Sequence, residues 1–269
     1  MNIQSYLTRQ SKKIDAELRQ FLPGEKERPT SLHRAMRYAV FSGGKRIRPI
    51  LALAACEAVG GDEKKVLPTA CALELIHAYS LVHDDLPCMD NDEWRRGQPT
   101  VFKKFGETTA VLAGDALLTL AFEILGCSND KNDVISIVAR AVGSKGMVGG
   151  QAVDMAFQGK QTNLPTIEYI NRQKSGALIA ASLRVGACLG EASQRQVKAL
   201  QEVGKNLGLL FQIVDDILDK EGYAKAVGVS NATKKAKTLH KKALKALKIF
   251  GQKGAVLSQI ADFVLERKS

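Results

Sequence analysis

The chain has 269 residues, 45% of them hydrophobic and 25% charged, which suits a folded core and excludes a low-complexity or disordered polymer. Aromatic residues make up only 6%, so the interior is largely aliphatic, and a formal charge of +11 permits anionic partners without naming one. Five cysteines are scattered with no CxxC pair, which argues against a disulfide frame or a zinc site and for free thiols in a reducing compartment.

From the N-terminus, MNIQSYLTRQSKKIDAELRQFL lacks the apolar core of a signal peptide and reads as an amphipathic helix. No segment reaches the uninterrupted apolar length of a membrane span, so stable membrane insertion is not expected and a cytoplasmic location is. Helical periodicity predicts helices near 2–21, 31–42, 49–59, 64–85, 107–126, 131–156, 166–190, 193–219 and 232–268. Breakers separate them: PGEKERPT, SGGKRIRP, GGDE, CSNDKND and QGKQTNLP. Thr30 or Ser31 can cap the second helix, and Pro49 suits the first turn of the third. With no composition shift and no repeat, residues 1–269 read as a single all-α domain. Late in the chain, KKAKTLHKKALKALK (234–248) repeats lysine on one side of a pattern whose apolar positions include Leu239, Ala243, Leu244 and Leu247. It reads as a solvated helix face, and without interleaved aromatics no nucleic-acid partner is expected.

Two stretches place acids on apolar helices. LVHDDLPCMDNDEWRRG (81–97) puts Asp84, Asp85 and Asp90 after a largely apolar run, and LGLLFQIVDDILD (207–219) carries Asp215, Asp216 and Asp219. At about 100° per residue, Asp215 and Asp219 fall within roughly 40° of each other. Burying an unpaired carboxylate costs several kcal/mol, so such residues need counter-charges. All-oxygen donors favour a hard divalent cation such as Mg²⁺, which is held through a few carboxylates plus phosphate oxygens. On an unbroken helix Asp90 would point about 120° from Asp84. Pro87 must break that helix, and a bulge at Pro87–Cys88 would return Asp90 towards Asp84.

Cations accompany the acids. SGGKRIRP (42–49) sets Lys45, Arg46 and Arg48 on a glycine-opened turn at a helix N-terminus, and Arg95 and Arg96 follow the first acid cluster. Together these predict an anion pocket beside a metal pocket. His77 shares the Asp84 face two turns earlier and reads as a phosphate contact, whereas His83 reads as a satisfied core residue. In GMVGGQAVDM, Gln151 and Asp154 share a face, and Gly143, Gly146 and Gly150 could admit a neighbouring helix; packing and function both explain that stretch.

These residues resemble the trans-isoprenyl diphosphate synthases, most nearly the bacterial short-chain farnesyl diphosphate synthases. The matches are GGKRIRP, ELIHAYSLVHDDLPCMDNDEWRRGQPT, FGETTAVLAGDALLTLAFEIL, GMVGGQAVDM, RQKSGALI and GLLFQIVDDILD, in family order over nearly the whole chain. The resemblance implies an all-α isoprenoid-synthase helical bundle around a central cavity, a homodimer, and about three Mg²⁺ ions per active site. It assigns Asp84, Asp90 and Asp215 as main metal ligands, with Asp85, Asp216 and Asp219 in support. Lys45, Arg48, His77 and Arg96 match the isopentenyl diphosphate site, and Arg95 and Lys174 the allylic diphosphate site. Gln151 is grouped with the substrate-binding residues. Ser175, where many relatives have Thr, and Gln212 match positions near the developing carbocation, so Lys174, Ser175 and Gln212 form the catalytic set. The implied reaction is Mg²⁺-dependent condensation of isopentenyl diphosphate with dimethylallyl or geranyl diphosphate.

Tyr79 matches a bulky floor that stops the chain at farnesyl diphosphate, with Ser80 beside it; geranylgeranyl diphosphate is the alternative product. A helical wheel favours Ser80 for the Asp84 face, so the Tyr79 assignment rests on the resemblance alone. Two departures stand out. Phe102 replaces a common His, and DDILDKEGYAKAVGVSNATKKAK runs almost straight into the next helix where the family has a Gly-Lys and Asp/Lys-containing stretch that helps close the site. The preferred reading is a mobile loop lying outside the numbered residues. The alternative is a truly short connection, which would weaken allylic diphosphate binding or leave a non-catalytic partner subunit.

Overall fold

The computed structural model describes residues 2–128, 132–160 and 162–267. In chain order the helices are α1 (Ile3–Phe21), α2 (Thr30–Phe41), α3 (Ile47–Val59), α4 (Glu63–Asp84), α5 (Val101–Phe105), α6 (Glu107–Ser128) and α7 (Asn132–Val142). There follow α8 (Met147–Phe157), α9 (Leu164–Ile170), a π-helical segment (Asn171–Gly176), α10 (Ala177–Leu189) and α11 (Gln194–Asp219). The last elements are α12 (Gly222–Val227), α13 (Val229–Leu247), a 3₁₀ segment (Lys248–Gly254) and α14 (Ala255–Glu266). The strands among the described residues are β1 (Trp94–Arg95) and β2 (Gln98–Pro99), an antiparallel hairpin. The expected all-α class is what the fold shows. The ends of two expected helices, Lys131 and Lys268, lie outside the described residues, as do parts of the breakers at 127–133 and 158–165.

Three long expected helices depart from regular α geometry, two by breaking at a glycine and one by loosening. The 131–156 span breaks before Met147, where Gly146 takes φ −130°, ψ −131°. The 166–190 span is continuous but loosens into the π segment. The 232–268 span kinks at Gly251 (φ 53°, ψ −132°), a conformation that glycine adopts without steric cost.

The chain forms two compact units, one made of Gln4–Ile50 and Leu67–Lys131, the other of Met1–Ile3, Leu51–Val66 and Asn132–Ser269. In the first, α1 buries Tyr6, Leu7, Ile14 and Leu18 along one stripe, and the α4 residues Leu73, Leu75 and Ile76 are fully buried. A charge sits in this core. Arg46 donates Nε to Asp15 (2.9 Å), Nη1 to Glu74 (2.8 Å) and Nη2 to the Val40 carbonyl (2.7 Å). Arg46 is therefore committed to holding α1, α2 and α4 together and is not a member of an anion pocket, contrary to the sequence reading. In the second unit α11 is the central element, burying Leu200, Val203, Leu207, Leu210 and Ile213. Its glycines admit α10: a Cβ at Gly208 would lie 2.7 Å from the Gly176 Cα, and one at Gly204 2.8 Å from the Ala180 Cα.

The connection after α11 is short. Lys220 takes the left-handed conformation (φ 58°), and Lys220 and Glu221 both donate their amides to the Asp216 carbonyl, ending α11 and turning the chain directly into α12. Within the numbered sequence the connection is therefore a short one, as the alternative reading has it. By length and composition α4 and α6 could each cross a membrane, which the sequence reading did not credit; two thirds of the α4 window is buried within the fold.

Because Glu74 is as buried as Arg46, removing the guanidinium strands a carboxylate in the core. Arg46→Leu is expected to lower unfolding free energy by about 3–5 kcal/mol, measured by urea denaturation.

Candidate active site

In the first unit, α4 ends at Asp84 because Pro87 cannot continue it. The chain turns instead: Leu86 and Met89 donate to the His83 and Leu86 carbonyls, and the Asp90 amide reaches the Asp84 carbonyl at 2.9 Å. Asn91 follows in the left-handed region (φ 55°), and the Asp92 amide bonds the Asp85 carbonyl at 3.1 Å. The proline-driven turn thus brings the backbone of Asp90 against that of Asp84.

Asp85 has a different setting. It is buried, and one carboxylate oxygen accepts both Nε (2.8 Å) and Nη2 (2.6 Å) of Arg95. Burial pushes its pKa up and Arg95 pulls it back. Asp92 also lies 3.6 Å from Arg95. The two arginines are presented by the hairpin, whose register pairs Arg95 with Gln98 and leaves Arg96–Gly97 as a two-residue loop. Both loop residues have positive φ (53° and 74°), the signature of a type I′ turn. Periodicity analysis missed this hairpin, although an X-Gly pair between short extended pairs was the available signal.

The turn sends Arg96 to the Gly43 carbonyl, which it hydrogen-bonds. Gly43 and Gly44 are both left-handed, and a Cβ on Gly44 would lie 2.8 Å from Arg96 Nη1 and 3.2 Å from Arg46 Nη1. Glycine is thus required both for the turn and for space. Around His77, packed protein first and then the charges of Arg48, Arg96, Arg95 and Arg46 hold its pKa well below 6.5. The ring is neutral at pH 7. Lys45 lies on an exposed part of the same turn.

Tyr79 is buried, packs edge-on against His83 at 5.8 Å, and has its pKa pushed up to about 12 by burial and by Asp84. Ser80 turns its hydroxyl back to the His77 carbonyl (2.9 Å). His83 bonds the Val111 carbonyl at 3.0 Å, as a satisfied packing residue would.

In the second unit, Asp215 is ion-paired with Arg267 at 2.7 Å. The Arg267 guanidinium also lies 3.8 Å above the Phe211 ring and donates to the Phe211 carbonyl. Burial raises the Asp215 pKa, Arg267 opposes it, and Asp219 and Asp216 add to the rise. Asp216 is buried and accepts from Asn171 Nδ2 (3.0 Å), the Tyr223 amide (2.9 Å) and Gln212 Nε2 (3.4 Å). It caps the first turn of α12 from outside, where Glu221 makes no side-chain cap. Asp219 is exposed at the end of α11.

Lys174 and Ser175 ride on the π segment. Lys174 pairs with Asp154 at 2.7 Å. A Cβ on Gly150 would lie 2.2 Å from the Lys174 amide nitrogen, so α8 reaches this segment only because residue 150 is glycine. Gln151, next to it, is buried with neither amide atom hydrogen-bonded to any described residue. Such a group is costly unless a ligand or water meets it. Sequence reasoning missed Asn171 and Arg267, whose partners lie far along the chain. It noted Asp154 without its lysine.

Among the described residues no three His, Cys, Asp or Glu side chains form a ready-made metal cage. Mg²⁺ seldom uses one; it binds through one or two carboxylates and completes its shell with water and phosphate oxygens. Oxygen-only donors with Asp84 and Asp90 drawn together at a turn fit that requirement.

Residues 29–261 match the sequence model of the polyprenyl synthetase family. The chain belongs to that family. It is 45% identical over 235 residues to the farnesyl diphosphate synthase of Geobacillus stearothermophilus, covering 85% of this chain and 79% of the relative. It is 49% identical over 212 residues to the heterodimeric geranylgeranyl pyrophosphate synthase large subunit 1 of Arabidopsis thaliana, spanning 74% of this chain but only 57% of that protein. An FPP/GFPP synthase of Zymomonas mobilis superposes with a TM-score of 0.92 at 38% identity, over 98% of this chain and 99% of the other. The fold is therefore the all-α isoprenoid synthase fold, and the synthases that resemble this chain include makers of different prenyl lengths.

Since the unfolded chain binds a proton on His77 that the folded chain excludes, stability is retained above pH 6.5 and lost as pH falls below it. Denaturation of the wild-type protein at a series of pH values is expected to show this slope, at most about 1.4 kcal/mol per pH unit, and His77→Gln to flatten it.

Proposed function

We propose that this polyprenyl synthetase is a Mg²⁺-dependent prenyltransferase. It joins isopentenyl diphosphate head-to-tail to dimethylallyl and then geranyl diphosphate, giving farnesyl diphosphate. The observation that carries the reading is the pair of aspartate clusters, each an adjacent Asp pair at the C-terminal end of an apolar helix.

Asp84 and Asp90 in the first unit, and Asp215 and Asp219 in the second, would hold Mg²⁺ ions. When bound, Mg²⁺ neutralises the negative charge of the leaving diphosphate. Asp85 and Asp216 then serve as positioning groups, since their oxygens already accept from Arg95 and from Asn171 and Tyr223. Lys45, Arg48, Arg96 and neutral His77 offer donors to the isopentenyl diphosphate, and Arg95 and Lys174 to the allylic one. Their fixed positive charge favours departure of the allylic diphosphate, and the isopentenyl double bond attacks the cation left behind. Loss of a proton, taken by the departed diphosphate, restores an alkene. Gln212 turns its amide nitrogen to Asp216, which leaves its carbonyl oxygen as the pole suited to an electron-poor carbon. Ser175 adds a hydroxyl dipole beside Lys174, and Gln151 supplies an unsatisfied amide for a polar substrate group.

Tyr79 supports the fifteen-carbon product, being bulky, buried and within electrostatic reach of Asp84. Exposed Val111 and Leu112 on α6 support a homodimer. Cysteine usage supports a cytoplasmic location. The short connection after α11 favours a second reading, a partner subunit that does not elongate by itself.

Supplying dimethylallyl and isopentenyl diphosphates with and without Mg²⁺, then sizing the dephosphorylated products, separates the two. Fifteen-carbon alcohol only with Mg²⁺ is expected, and no elongation by the purified chain would favour the partner subunit. Asp84→Asn and Asp215→Asn are each expected to lower kcat about 10²–10³-fold. Tyr79→Ala should shift the product towards twenty carbons, and an unchanged distribution would remove Tyr79 as the floor.

A further inference from the structure

The basic excess of this protein is concentrated in one place that the proposed chemistry does not use. From Gly222 to Ala261 the sequence has nine lysines and no Asp, Glu or Arg, which accounts for nine of its eleven net positive charges. On α13 the lysines are ordered. Ala232, Ala236, Leu239, Ala243 and Leu247 are buried along one face. Lys234, Lys237, Lys241 and Lys245, spaced three, four and four residues apart, fall within about 80° on the opposite face. All four are exposed, and none makes an ion pair with a described residue, whereas Lys235, off this row, pairs with Glu168 at 2.8 Å. The row is about 16 Å long, and exposed Lys248 begins the next segment.

Like charges at i, i+4 destabilise a helix, so an unrelieved row is retained against a local cost. Ser230 and Thr238 share the face and no apolar residue does, so nothing on it would insert into another molecule's interior. The absence of arginine and of exposed aromatics here argues against phosphodiester forks or stacked bases. The face belongs to a single helix and is convex, which suits a broad sheet of anionic headgroups better than a shaped protein pocket.

We propose that the lysine row of α13 is a docking surface for anionic lipid bilayers, holding the protein at the headgroup level by charge alone. The test is cosedimentation of the full chain with vesicles of phosphatidylcholine alone or with about a third phosphatidylglycerol. Binding is expected only to the anionic vesicles and should disappear at high salt. The quadruple variant Lys234→Gln, Lys237→Gln, Lys241→Gln, Lys245→Gln, shown to be folded by circular dichroism and thermal melting, should bind at least tenfold more weakly, since each surface lysine contributes up to about fivefold. The corresponding quadruple arginine variant should bind like the wild type. Absence of wild-type binding, binding unchanged in the glutamine variant, or tighter binding of a duplex oligonucleotide at the same ionic strength would each overturn the proposal.

Discussion

Charge can enter an aliphatic helical core only when a specific opposite group is waiting for it, and this constraint organises the protein. Arg46 is held between Asp15 and Glu74, Asp85 by Arg95 and the half-buried Asp215 by Arg267. Each pair joins elements that are separate in sequence, so the same contacts that make buried charge tolerable also fix the helices that carry it. Under the proposed function, a diphosphate or a divalent cation arriving at such a pair would exchange one partner for another and would not meet a bare charge.

Placement within each acid cluster divides the carboxylates by role. The first Asp of each adjacent pair ends up beside a turn or paired with Arg267, and the second is buried and accepts from neutral or cationic donors. Asp216 has three donors and caps the following helix, so its loss would unsettle α12 as well as the acid cluster. The chemistry and the local architecture are therefore not separable at that residue.

Much of this was legible in the sequence. Helix class, the two acid clusters and the return of Asp90 at Pro87 all follow from periodicity and from what proline forbids. What was not legible depends on long-range partners or on backbone handedness. The Asn171–Asp216 and Asp215–Arg267 contacts join positions that no local pattern relates. Arg46 read as part of an anion pocket because its neighbours are cations and glycines, yet its side chain turns inward to two acids that local spacing cannot reveal. The hairpin at residues 94–99 was overlooked because two-residue strands leave no alternation to detect. The short turn after Asp219 was read as an omission because the family pattern was given more weight than the chain itself.

The π segment at Asn171–Gly176 is a phase slip in an otherwise regular rod. Its wider turn advances each side chain by roughly 80° where an α-helix advances about 100°, so six residues accumulate a lag of a little more than one position. The helical wheels on its two sides are consequently out of step, and no single wheel drawn through 164–189 assigns inner and outer faces correctly to both. Lys174 and Ser175 occupy the stretch where the two phases hand over. Removing one residue there would rectify the helix without breaking it, and would turn α10 against α11 so that the glycine contact at Gly176 and Gly208 no longer met.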